Sequence, residues 1–79
     1  MMTLSIDLCR KVWHLVKTDC PEVVLQFSTD KVFSVNYDCS QQQYCVNLLK
    51  CKDGLFIASM AEFVKCDKDI YDFCVQYLD

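Results

Sequence analysis

Glycine and proline are almost missing from this chain: Gly54 and Pro21 are the single examples in 79 residues. That scarcity excludes flexible linkers, low-complexity tracts and extended disorder. One glycine also cannot build a phosphate-cradling loop, which removes nucleotide chemistry of the Walker or Rossmann kind. Histidine is nearly absent too, and the lone His14 projects from a charged helix face. A Cys–His nucleophilic pair would need a cysteine to reach that outward face, so the sequence predicts no enzyme and no catalytic residue. Positive charge is in deficit, with 8 Lys and Arg against 11 Asp and Glu for a net charge of −3. Nucleic-acid binding normally needs a basic face, and this balance argues against it. No apolar run approaches the ~20 residues needed to span a bilayer. Asp7 interrupts the stretch where the apolar core of a signal peptide would run. The expectation is one compact domain over residues 1–79, soluble and cytoplasmic, with no membrane partner.

Cysteine is abundant instead: Cys9, Cys20, Cys39, Cys45, Cys51, Cys66 and Cys74. Successive gaps of 11, 19, 6, 6, 15 and 8 positions contain no Cys-x-x-Cys or Cys-x4-Cys pair. An odd count without a secretory leader does not describe a disulfide scaffold. Cys45 and Cys51 on one strand would stand about 20 Å apart, too far to share an ion. Cys66 and Cys74 on one helix would be separated by roughly 12 Å. No metal ligand set and no cofactor are assigned, and the cysteines read as reduced, small, buried hydrophobes in a reducing compartment.

Hydrophobic periodicity supplies the elements. From Thr3 to Thr18, Ile6, Leu8, Cys9, Val12, Trp13, Leu15 and Val16 fill one half of a helical wheel. Asp7, Arg10, Lys11, His14, Lys17 and Thr18 fill the other. Thr3 or Ser5 can cap this helix, and Pro21 forbids its continuation. Residues 23–28 and 32–39 alternate with period two and read as strands, joined by a tight hairpin at Thr29-Asp30. A third strand runs from Tyr44 to Cys51. Asp53-Gly54 is the best turn signal of the chain, and Leu55 to Ala58 returns as a fourth strand. A two-residue loop there pairs Cys51 with Phe56 and Leu49 with Ala58 on a face read as core. Lys50 then pairs with Ile57 and Lys52 with Leu55 on the other face.

Ser59-Met60-Ala61-Glu62 has the form of a capping box, which predicts a helix from Ser59. Met60, Phe63, Val64, Cys66, Ile70, Tyr71, Phe73, Cys74, Tyr77 and Leu78 would make a wide apolar arc, with Asp67 alone pointing into it. An unpaired buried carboxylate costs several kcal/mol, so the helix is expected to break, with Asp67 capping a second one over Lys68–Leu78. The fold class is therefore α+β: an N-terminal helix, a four-stranded antiparallel meander sheet, and a C-terminal helix or helix pair.

The remaining charged groups have ordinary explanations. Glu62, Asp67, Asp69, Asp72 and Asp79 mostly line a solvated helix face, as do Arg10, Lys11, His14 and Lys17. Helix, strands, then helix is also the order of double-stranded-RNA-binding domains, and the likeness stops at order. Those domains open their C-terminal helix with a lysine cluster, whereas this chain has Met60-Ala61-Glu62-Phe63-Val64-Lys65 there.

What remains is a surplus of apolar surface. The row Tyr44, Val46, Leu48, Leu55 and Ile57 gives strands three and four a second apolar face. It predicts a non-enzymatic protein–protein interaction module or adaptor that uses this face or a helix groove and self-associates as a homodimer. Alternatives carried with it are a small accessory protein of a compact viral genome acting on host proteins, suggested by composition alone, thiol-redox or noncontiguous zinc chemistry, and RNA binding. A further alternative is a plain monomer whose terminal helices cover both sheet faces.

Overall fold

The computed structural model describes residues 3–29 and 31–78. Its order is α1 (Ile6–Thr18), β1 (Glu22–Gln26), β2 (Lys31–Asp38), β3 (Gln43–Lys52), β4 (Leu55–Val64) and α2 (Asp67–Leu78). The four strands form one antiparallel meander in the order β1-β2-β3-β4. The expected α+β class is observed, with one C-terminal helix.

α1 starts where a cap is available: the Ser5 hydroxyl accepts from the Leu8 backbone N–H at 3.1 Å. It ends before Pro21, where the Leu15 carbonyl accepts from Asp19 N at 2.9 Å and Cys20 N at 2.8 Å. The β3–β4 turn matches expectation, since Asp53 and Gly54 both have positive φ, 54° and 81°, as a two-residue hairpin of this twist requires. Cys51 pairs with Phe56, Leu49 with Ala58, Lys50 with Ile57 and Lys52 with Leu55, as read. At the β2–β3 turn the Asp38 carboxylate accepts from Ser40 Oγ at 2.6 Å, Ser40 N at 3.0 Å and Gln41 N at 3.3 Å. The Ser40 hydroxyl, with those amides, holds the Asp38 carboxyl below its usual value. Asp30, half of the expected Thr29-Asp30 turn, lies outside the described residues.

Ser59–Glu62 is a correction. These residues do not open a helix but continue β4, where Met60 to Val64 pair with Leu48 to Tyr44. A capping box satisfies two local amides, whereas the strand satisfies the whole outer edge of β3 and places Val64 in the core, 3 % exposed. The helix begins instead at Asp67, as the expected break requires. Asp67 is kept from burial without a partner by its place in the first turn of α2, with Arg10 Nε 3.8 Å away. Asp69 accepts from Lys65 N at 2.9 Å. At the far end α2 has no basic residue of its own, and Lys31 from β2 donates to the Tyr77 and Leu78 carbonyls at 3.2 Å each.

Both helices lie on one sheet face, so the two-sided covering does not occur. One core joins Cys9, Val12 and Val16 of α1, Ile70, Phe73 and Cys74 of α2, and Leu25, Phe27, Phe33, Val35, Val46, Leu48 and Val64 from the sheet side. Phe33 is its centre, edge-on to Phe27 at 5.7 Å and to Phe73 at 6.0 Å. Truncating such a residue removes its transfer energy and leaves a cavity. Phe33→Ala is expected to cost about 3–5 kcal/mol, close to the whole stability of a domain this size. Urea unfolding followed by circular dichroism checks this, and the variant should be largely unfolded at 37 °C.

Candidate functional site: the β3–β4 hairpin and its exposed edge

In an antiparallel ladder, opposed residues share a face and successive residues alternate. Phe33 opposite Leu48 and Val35 opposite Val46 define the helix-covered face. Val32 opposite Leu49, Ser34 opposite Asn47 and Asn36 opposite Cys45 define the open one. The middle of the open face is polar: Asn47 Nδ2 donates to Ser34 Oγ at 3.3 Å and Asn36 Oδ1 at 3.0 Å. Cys45 Sγ lies 3.6 Å from Asn47 Oδ1.

Strand β4 carries an irregularity. Leu48 pairs with Met60 but Leu49 with Ala58, so Ser59 is an extra, bulged residue. The bulge shifts the alternation by one. Phe56, Ala58, Ala61 and Phe63 all fall on the open face, opposite Cys51, Leu49, Asn47 and Cys45. Leu55, Ile57, Met60 and Glu62 fall on the helix side.

The five residues expected to form a binding face are divided by the structure. Val46 and Leu48 are sealed in the core, at 0 % and 2 % exposure, and Tyr44 is half-buried against it. Leu55 and Ile57 are in solvent, at 67 % and 50 %. The two faces were therefore read the wrong way round: Leu49, Cys51, Phe56 and Ala58 belong to the open side. Length is the physical reason. Strands of ten residues extend about 33 Å, while helices of 12 and 13 residues reach only about 20 Å. The hairpin tip outruns its cover, and Lys50 and Lys52 follow Tyr44, Val46 and Leu48 on the same face without marking that face as outer.

Sequence reasoning missed Phe56, Met60 and Phe63 as exposed residues, at 49 %, 44 % and 49 %. Every β4 residue except Val64 is exposed, and Glu62 is its one charge. β4 is also an edge strand, paired with β3 alone.

A second, smaller feature is a groove of about 540 Å³ lined by Trp13, Lys17, Gln42, Gln43, Tyr44, Val64 and Lys65. Trp13 and Tyr37 each meet Tyr44 edge-on at 4.9 Å, and Lys17 Nζ sits 5.2 Å from the Trp13 ring centre. These contacts engage the aromatic rings with one another and with the lysine.

All seven cysteines are free. Burial as small hydrophobes holds for Cys9 and Cys74; Cys39, Cys51 and Cys66 are exposed, and Cys20 and Cys45 are intermediate. Among the described residues no group of three or more His, Cys, Asp or Glu is placed to hold a metal ion. No helix among them is long and apolar enough to cross a membrane. His14 is exposed on α1. Comparison of the chain with protein-family models, with curated proteins and with solved structures finds no match.

Burial pushes the Cys9 thiol up to about 11, helped by the Asp67 charge, and the Cys74 thiol to about 12, helped by Cys9. Burial raises Cys45 as well, with Asp38 adding to it. Cys39, Cys51 and Cys66 are expected to alkylate first and Cys9 and Cys74 only on unfolding, read by intact mass against time. Both buried thiols hold their proton more tightly folded than unfolded. Their contribution to stability is intact below about pH 9 and is lost as pH rises toward 11–12. The melting temperature should fall across that window, and less steeply in Cys74→Ala.

Proposed function

We propose that this protein is a non-enzymatic protein–protein interaction module that binds a second copy of itself through the projecting β3–β4 hairpin, in reducing, cytoplasmic surroundings. One observation carries the reading: a ten-residue edge strand exposes Leu55, Phe56, Ile57, Met60 and Phe63 and offers a single charge. Natural edges are normally short, or guarded by lysine, proline or inward-pointing charge, because unpaired strand amides recruit other strands. The guards here are Glu62 and the bulge at Ser59.

Area supports the same reading. Five large side chains of about 200 Å² each, half exposed, leave roughly 500 Å² of apolar surface, divided between the two faces that meet at this edge. Doubled across a symmetric contact, with the strand backbones and Ala58 and Ala61 added, this approaches the roughly 1,200 Å² at which stable interfaces begin. The free thiols fit a reducing environment.

Sedimentation velocity from low to high micromolar concentration tests the reading. The wild type is expected to convert from monomer to dimer, and Phe56→Asp plus Phe63→Asp to remain monomeric with an unchanged circular dichroism spectrum. A clean wild-type monomer at the highest concentration overturns it.

A further inference from the structure

Read outward from the midpoint between Ser59 and Met60, β4 mirrors itself on its open face: Ala58 answers Ala61, and Phe56 answers Phe63. In a regular strand, residues an odd number of positions apart point to opposite faces. Phe56 and Phe63 could not then share a side. The extra residue at Ser59 is what brings them to one face, so the bulge and the mirrored pattern act together.

From this geometry we infer that two copies join edge to edge, β4 antiparallel to β4, about a two-fold axis perpendicular to the sheet and passing between Ser59 and Met60. The inference rests on the self-association reading above and specifies its register. Each copy contributes the same surface, as a closed symmetric pair requires. Phe56 of one copy stands opposite Phe63 of the second, and Ala58 opposite the second copy's Ala61, each pair occurring twice. The four small alanines let the centre of the joint lie flat, and two aromatic pairs close its ends. A continuous eight-stranded sheet results.

Charge agrees with this register. On the helix side Glu62 falls opposite the second copy's Ile57, whose partner across the β3–β4 ladder is Lys50. Two strand spacings, about 10 Å between Cα atoms, separate Glu62 from that lysine, within the combined reach of the two side chains. Lys65 falls opposite the second copy's Gly54, one position from the turn carboxylate of Asp53. Among the described residues neither Lys50 nor Glu62 makes an ion pair within its own chain. Neighbouring registers fail. A one-residue slip sets open-face Phe56 against a helix-side residue. A two-residue slip leaves Phe63 opposite Gly54 in one direction and Phe56 opposite Lys65 in the other.

The test uses full-length chains with the exposed Cys39, Cys51 and Cys66 changed to serine. Ala58→Cys and Ala61→Cys are prepared separately, then mixed and mildly oxidised. Opposed Cα atoms in an antiparallel pair are about 4.5–5.5 Å apart, within disulfide range. A cross-linked dimer is expected in the mixture, in the statistical share of mixed pairs, and in neither variant alone. Cross-linking in a single-variant sample, or none in the mixture while sedimentation still shows a dimer, overturns this register and leaves the self-association reading standing. A monomer in sedimentation overturns both.

Discussion

Backbone pairing along β3 is the constraint from which most of this structure follows. β3 is a central strand of ten residues, held by β2 from Gln43 to Lys50 and by β4 from Tyr44 to Lys52. Buried amides left without partners are costly, so a strand this long needs a neighbour nearly as long. β4 meets that need only by continuing through Ser59–Val64, which overrides a local helix-start signal. The consequence is an apolar segment, Met60 to Phe63, facing water rather than packed as a helix. The exposed edge follows from completing the ladder.

The helix layer is fitted to what remains. Two short helices cover one face and are tied by few but well-placed contacts: Arg10 reaches toward Asp67, and Lys31 closes the carbonyl end of α2. Cys9 and Cys74 are fully buried where the helices share the core, small enough for close approach and free of hydrogen-bonding demands. On the opposite face no helix packs. There Asn47 donates to both Ser34 and Asn36, which gives the buried Ser34 hydroxyl a partner in the middle of that face.

Much of this was legible in the residues. The α1 stripe, its serine cap, the Asp53-Gly54 turn with its register, and the helix start at Asp67 each arise from local physics that acts within a few positions. The end of β4 was not legible, because a capping box and a strand continuation compete over the same residues and the decision rests with β3, some 15 positions earlier. Nor was the choice of covered face. Both rows of the hairpin are apolar, and Lys50 and Lys52 mark solvent only where the sheet extends past the helices. Of the row expected to face outward, Leu55 and Ile57 are exposed, Tyr44 is half-buried, and Val46 and Leu48 lie in the core. Phe56 and Phe63 share a side only through one extra residue, which alternation alone conceals.

The other border of the sheet behaves differently. β1 has only five residues, is preceded by Pro21, and presents Glu22 and Gln26 to solvent beside a lone exposed Val24. Proline withholds an amide, and so brief a border offers little for a stranger's strand to grip. The two margins of the sheet thus differ: one is long, apolar and exposed, the other brief and mostly polar. On the pairing proposed above, such a polarity lets two sheets join once and then stop, which keeps a chain with one long apolar edge from growing into fibres.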